Sequence, residues 1–386
     1  MLKIGFITHS AYPVIVGGSE ISVFYLAREL AKKGHDVTIF SFDSLSGIVN
    51  EEIEGVNFER FPQKMMNSFP KLLFLFANKR FNEFDIIHFY GQMLFLQSYK
   101  IKLLNNVKTV ATLNYYLIAC PSTYAMKNGR ACNTCSYSDL LKCGIKNAPC
   151  RNSLLSILTR RFSFLNDAYI LLGNNSKRVF EMFGFPIEKM HVIPNFIYPE
   201  KDLNINVEHE KAIIYTGQLR ACKGVDILIR ALPMVKKKVK DFKCYIIGSG
   251  DSSHELRKMV TDLGVSNLVE FTGFLSHDKL KVYYQKSEIF VFPVIWHEPF
   301  GRSLLEAMNY GLPVITSENI EQEIIGNAGL IYRNNDPNEL AEKIIYLFEN
   351  EKERKKLSNN AKKNIVDYYP ERIVPKVEDL YNYVVR

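Results

Sequence analysis

The chain has 386 residues, too many for one ordinary domain and enough for two, each with its own core. Its 47% hydrophobic and 23% charged residues exclude a disordered or fibrous chain. The net charge of +8 lies in the first half: residues 1–197 carry 22 Lys/Arg against 14 Asp/Glu, and residues 198–386 carry 27 of each. Such a field suits an anionic lipid surface, a nucleic acid or a phosphorylated substrate. The basic residues are dispersed and lack an interleaved aromatic platform, which argues against nucleic acid. No apolar run is longer than that of Leu72 to Ala77, far shorter than the about 20 residues of a membrane span. The first residues show no basic-then-apolar leader, so a soluble, intracellular protein is expected.

In chain order, a short apolar run at Lys3–Thr8 is followed by a Gly-Gly turn and a helical stretch from Ser19 to Lys33, which stops at Gly34. Strand-like runs recur at 37–42, 85–89, 108–113 and 169–172, with helical segments between them. The pattern resumes at 212–216, 243–247, 268–272, 289–292 and 312–316. Asp336-Pro337-Asn338-Glu339 and the pair Ser252 and Glu255 predict capped helix starts. The polar stretch 199–210 is the expected linker. This alternation predicts two doubly wound α/β domains with parallel sheets, 1–197 and 198–369, with a cleft between them.

The densest string of chemistry runs from Trp296 to Ile315 (WHEPFGRSLLEAMNYGLPVI). It follows a strand, so Phe300 and Gly301 fall at a helix N-terminus, where free N–H groups and the helix dipole favour an anion. Glu298 and Glu306 would repel that anion and are therefore expected to face hydroxyl groups, with a sugar the obvious candidate. A second string, Thr216-Gly217-Gln218-Leu219-Arg220-Ala221-Cys222-Lys223-Gly224, places a glycine turn and two cations between a strand and a helix. Lys223 is a point charge suited to a diphosphate.

These strings resemble the retaining glycosyltransferases of family 4, which have the GT-B fold of two Rossmann-like domains facing an interdomain cleft. Their E-P-F-G-x-x-x-x-E-A-M-x-x-G-x-P-V-I signature is matched from Glu298 to Ile315. The resemblance implies that Glu298 contacts the transferred sugar, Glu306 the ribose and Lys223 the diphosphate, with Gly217 in the turn beside it. It also implies that Gly248-Ser249-Gly250 is the family's G-x-G, that Phe274 lies near the nucleobase, and that Gly17 and Gly18 approach the donor phosphates. Residues 370–386 are expected to cross back onto the first domain as a helix. The implied activity is transfer from a UDP- or GDP-sugar to a glycan, lipid-linked or small-molecule acceptor, in cell-surface polysaccharide or glycoconjugate synthesis. No cofactor is required, and no Asp-x-Asp occurs for chelating a catalytic metal.

Two positions depart from the family pattern. Gln218 stands where an arginine is usual, with Arg220 a candidate replacement, and Asn114 stands where a histidine meets the donor sugar. An amide still donates and accepts hydrogen bonds but carries no charge. His88 and His9 are spare candidates for that role, with a packed strand-end histidine the alternative for each. The two departures motivate a competing class, a non-catalytic nucleotide-binding scaffold; intact Glu298, Glu306 and Lys223 oppose it.

Cys120, Cys132, Cys135, Cys143 and Cys150 cluster in the loop 120–150. The C-x-x-C at 132–135 makes structural zinc a candidate, with an iron–sulfur cluster or reduced, unligated thiols as alternatives. Residues 69–81 and 153–165, apolar with basic flanks at Lys71, Lys79, Arg160 and Arg161, are candidates for peripheral contact with an anionic membrane at its cytoplasmic face. An ordinary core helix is the alternative there.

Overall fold

The computed structural model describes residues 1–14, 18–65, 79–90, 95–116, 119–121, 124–127, 130–132, 135–136, 138–140, 142–143, 150–200 and 210–386. They form two units. One comprises Met1–Lys127, Cys132–Phe196 and Pro370–Arg386, and the other Asn128–Ala131 and Ile197–Tyr369. Residues 66–78, which hold most of the first membrane candidate, and Gly17 lie outside the described residues.

In the first unit the elements are β1 (Lys3–Ile7), α1 (Gly18–Lys32), β2 (Asp36–Ser44), β3 (Val49–Ile53), β4 (Val56–Pro62), β5 (Ile86–Tyr90), α2 (Phe95–Leu104) and β6 (Lys108–Leu113). The two-residue strands β7 (Met126–Lys127) and β8 (Arg130–Ala131) stand outside the main sheets. They are followed by α3 (Cys150–Arg161), β9 (Ala168–Leu171), α4 (Asn174–Met182) and β10 (Met190–Val192). The sheet runs β10-β9-β6-β5-β1-β2-β4-β3. Its central strands are buried along almost their whole length, as helices on both faces of a parallel sheet require, and so are mostly apolar, with His88 and Thr112 bonded to each other inside. The edge departs from expectation. β3 is antiparallel to β4 and exposed at four of its five residues, so it lacks the apolar signal that marks the interior strands. β10 has only three residues and was equally silent.

The second unit contains β11 (Ala212–Thr216), α5 (Val225–Lys238), β12 (Lys243–Ile247), α6 (Ser253–Asp262), β13 (Val269–Gly273), α7 (His277–Lys286) and β14 (Ile289–Phe292). It continues with α8 (Arg302–Asn309), β15 (Val314–Ser317), α9 (Gln322–Ile325), β16 (Gly329–Tyr332), α10 (Pro337–Glu349) and α11 (Glu351–Asn364). Its six strands are all parallel, in the order β13-β12-β11-β14-β15-β16. The order reverses between β11 and β14, and ligands of doubly wound sheets bind at the carboxyl ends of the strands flanking such a switch. Both chemistry-bearing strings begin there. The Asp336 side chain caps α10 by accepting the Asn338 and Glu339 N–H groups at 3.0 Å, but Glu339 turns to Arg333 and does not close the box. Ser252 makes no side-chain cap, and the adjoining Ser253 hydroxyl bonds back to the Gly250 backbone.

The final helix, α12 (Pro370–Val385), belongs to the first unit. Fully buried His88 joins Tyr381 of this helix (Nδ1 to OH 2.6 Å) to Thr112 of β6 (Nε2 to Oγ1 2.7 Å). It is therefore a structural histidine. Burial pushes its pKa down to about 3, against 6.5 when unfolded, so the fold keeps it neutral. Stability from this group is complete above pH 6.5 and is lost as the pH falls toward 3, by up to about 1.4 kcal/mol per pH unit. Urea unfolding at pH 7.5, 6 and 5 should show that decline, and His88→Gln should flatten it while costing about 1–3 kcal/mol at pH 7.5.

Candidate functional site

In the second unit the chain leaves β11 through Gly217 and enters a short 3₁₀ turn, Ala221–Lys223. Gly217 donates to Ile247 O at 3.0 Å and Leu219 to Ser249 O at 2.9 Å, so the turns after β11 and β12 are bonded together. Gly248 has φ +134°, and a Cβ there would overlap the Gly217 carbonyl. Gly250 is packed against the Leu219 backbone in the same way. The paired turns thus present main chain where side chains would otherwise stand. Gly248→Ala should lower the thermal midpoint by an amount equal to about 1–3 kcal/mol, measured by calorimetry.

Lys223 and Glu298, 75 residues apart, meet at 2.5 Å (Nζ to Oε2) with side chains only 18% and 10% exposed. Glu298 Oε2 also accepts the indole N–H of Trp296 at 2.8 Å. Lys223 Nζ lies 5.3 Å from the Trp296 ring and 5.8 Å from that of Phe292, within cation–π range. Neighbouring Cys222 is buried, and burial pushes its thiol up to about 11, which keeps it protonated.

Gly301 is the N-cap of α8, with φ +75° and no room for a Cβ beside Phe292, so Phe300 and Gly301 sit at the helix start as expected. The Phe300 side chain itself is buried. Glu306 lies on α8, 3.4 Å from Arg302 Nε and 3.3 Å from the Tyr284 hydroxyl. Tyr284 is fully buried, and its hydroxyl also meets Thr216 Oγ1 at 2.7 Å. Burial, and then the Glu306 charge, push this phenol well above its ordinary pKa, so it stays protonated. Arg220 is exposed at the head of the 3₁₀ turn, and Phe274, just past β13, is 81% exposed.

The structure thus brings Lys223, Glu298 and Trp296 together, and joins Glu306 to the end of β11 through Tyr284. Trp296 and Tyr284 escaped the sequence analysis. The one available signal was that Trp296 is the chain's single tryptophan, two residues before Glu298.

In the first unit, Gly18 opens α1, and Glu20 accepts from Ser10 Oγ at 3.3 Å and Ser19 Oγ at 3.1 Å. The loop after β1 is held by buried Arg60, which donates to the Ala11 and Tyr12 carbonyls and to Asp43 at 2.9 Å. Asn114 follows β6, and its buried Oδ1 has no hydrogen-bond partner among the described residues. His9 follows β1 and is part-buried.

Among the described residues no three His, Cys, Asp or Glu side chains gather as metal ligands, and the Cys150 side chain lies outside those residues. Arg160 does not face outward as the membrane reading expects. It is 4% exposed, donates to Ala119 O at 2.8 Å and to Cys135 O and Sγ at 3.2 Å, and lies over Phe183. Among the described residues no helix is long and apolar enough to cross a membrane.

Two family models divide the chain: Glycosyltransferase Family 4 matches residues 16–201 and Glycosyl transferases group 1 matches residues 200–364. An uncharacterised glycosyltransferase of Methanocaldococcus jannaschii is 27% identical, covering 95% of this chain and 94% of its own. The amylovoran biosynthesis glycosyltransferase AmsK of Erwinia amylovora is 31% identical over 35% of each chain. HepE of Anabaena, solved with UDP and glucose, superposes with a TM-score of 0.76 at 19% identity, over 99% of this chain and 100% of that one. The chain belongs to the family-4 glycosyltransferases and has their GT-B fold.

Proposed function

We propose that this family-4 glycosyltransferase moves a sugar from a UDP- or GDP-sugar to a glycan, lipid-linked or small-molecule acceptor, with retention at the anomeric carbon, in polysaccharide or glycoconjugate synthesis. The observation that carries this reading is the Lys223–Glu298 pair at the switch point of the second sheet. One group is a cation suited to a diphosphate, the other an acceptor suited to sugar hydroxyls. Glu306 takes the ribose, Phe274 lies by the base, and the Phe300 and Gly301 amides at the start of α8 stabilise charge on the leaving diphosphate. Gly217, Gly248 and Gly250 let the donor approach main chain, and Arg220 supplies the charge that Gln218 lacks. That AmsK is an amylovoran biosynthesis glycosyltransferase supports the polysaccharide setting, and the UDP complex of HepE supports a uridine donor.

In the transfer, the acceptor oxygen bonds to the anomeric carbon on the face from which the diphosphate departs. The bond from that carbon to the leaving phosphate oxygen breaks, and this oxygen takes the acceptor's proton. Asn114 is the hydrogen-bonding group for the sugar. Its unsatisfied Oδ1 matches a site for a hydroxyl donor, and the reaction asks no proton of it.

A panel of UDP-, GDP- and ADP-sugars tests the reading. One donor should be slowly hydrolysed, and Glu298→Ala and Lys223→Ala should each cut kcat/KM at least about 100-fold. NMR of the first-formed product should show retained anomeric configuration; inversion, or turnover untouched by both substitutions, would overturn the assignment.

Peripheral contact with an anionic membrane at its cytoplasmic face belongs to the same proposal. Leu154 and Leu158 of α3 and the following Phe162 and Phe164 are exposed, beside exposed Arg161. Residues 154, 158 and 162 recur at four-residue intervals, the spacing of one helix face. Vesicles containing phosphatidylglycerol should co-sediment the protein, pure phosphatidylcholine vesicles should not, and Leu158→Glu should reduce binding at least about fivefold.

A further inference from the structure

Glu298 Oε2 receives two donors of different kinds. The Lys223 ammonium ends a flexible four-carbon stem, is part-exposed, and has three N–H groups to offer. The Trp296 indole is fully buried, neutral and has a single N–H. Its backbone is also fixed. Asn319 Nδ2 donates to Ile295 O at 2.8 Å, Asn334 Nδ2 to the same carbonyl at 3.3 Å, and Ser317 Oγ to Val294 O. The Ile295 N–H reaches Cys222 O at 3.1 Å, beside Lys223. Glu298 Oε1 has no hydrogen-bond partner among the described residues.

We infer that Trp296 is the positioning residue for Glu298, and that Lys223 is the partner Glu298 gives up when a diphosphate arrives. The inference rests on the proposed role of Glu298 at the transferred sugar. A diphosphate offers Lys223 more negative charge than one carboxylate does, so the ammonium moves to it. The carboxylate then loses its cation, and only the indole N–H keeps it from following or rotating. Held through Oε2, Glu298 offers Oε1 to the hydroxyls of the sugar. Binding of the phosphates and readiness for the sugar are thereby one exchange of partners, and a buried tryptophan at this place is accounted for by its N–H as well as its bulk.

Trp296→Phe keeps a ring and removes the N–H. Transfer from the preferred donor should slow at least about tenfold in kcat, while the inhibition constant of the free nucleoside diphosphate stays within about twofold, since that ligand does not use Glu298. In the Glu298→Gln background the same substitution should add less than about a twofold further loss, because residues acting through one another are not additive. Trp296→His, smaller but still an N–H donor, should transfer faster than Trp296→Phe without being more stable to heat.

Equal rates for wild type and Trp296→Phe, or independent losses in the double variant, would overturn the inference while leaving Glu298 in its role. A wild type that transfers nothing, or a harmless Glu298→Gln, would instead remove the functional reading beneath it. Where both Trp296 variants fail to fold, the emission of this single tryptophan decides. It should shift in Glu298→Gln and on adding nucleoside diphosphate to wild type, and an unchanged spectrum in both would overturn the inference.

Discussion

Lys223 and Glu298 reach each other across 75 residues because β11 and β14 are neighbours in the sheet, and each residue stands in the segment that follows the carboxyl end of its strand. A pair of charges so little exposed does not gain much stability from its attraction, since both ions give up water to make it. Its value lies in what a third charge does to it. On the proposed reading, a diphosphate entering the turn after β11 competes for the lysine and frees the carboxylate, which makes the pair a resting arrangement of two groups with separate tasks. The surrounding structure fixes the place of that exchange: Phe292 and Trp296 wall the lysine, and the Ile295 N–H ties the glutamate's loop to the lysine's turn.

Helix α8 extends the same constraint through the second unit. Glu306 at its middle is linked by Tyr284 to Thr216. Tyr284 stacks on Tyr310 at 5.0 Å and 14°, and the Tyr310 hydroxyl donates to Glu200 at 2.9 Å. Asn309 donates to Tyr198 O at 2.9 Å and accepts from Tyr369 at 3.1 Å. Residues 198–200 and 369 lie where the chain enters and leaves this unit. One short helix therefore carries the carboxylate expected at the ribose and, at its other end, anchors the two crossing segments.

The sequence revealed most interior strands of both sheets because buried parallel strands are largely apolar, as at Ile86–Tyr90, where His88 is the exception, and Ile289–Phe292. It concealed β3, whose residues face solvent, β4, whose run is broken by Asn57, Glu59 and Arg60, and the short edge strands β10 and β16, which are only partly buried. At the site, the glycines and charged residues were legible as strings because each string follows one strand. The partners were not. That Trp296 would bond Glu298, or Tyr284 bridge Thr216 and Glu306, depends on side-chain directions that strand order alone does not give. Arg160 shows the opposite error: a cation in an apolar stretch resembled a membrane flank, yet carbonyls and the Cys135 sulfur accept its hydrogen bonds inside the fold.

The central claim is that Lys223 belongs to the distal part of a diphosphate. Titration calorimetry with a nucleoside diphosphate and its monophosphate, UDP and UMP or GDP and GMP, addresses it directly in wild type and Lys223→Met. The account predicts that the substitution weakens the diphosphate at least about tenfold, a loss of about 1.4 kcal/mol or more, and leaves the monophosphate within about twofold. Equal weakening of both ligands, or of neither, would contradict it.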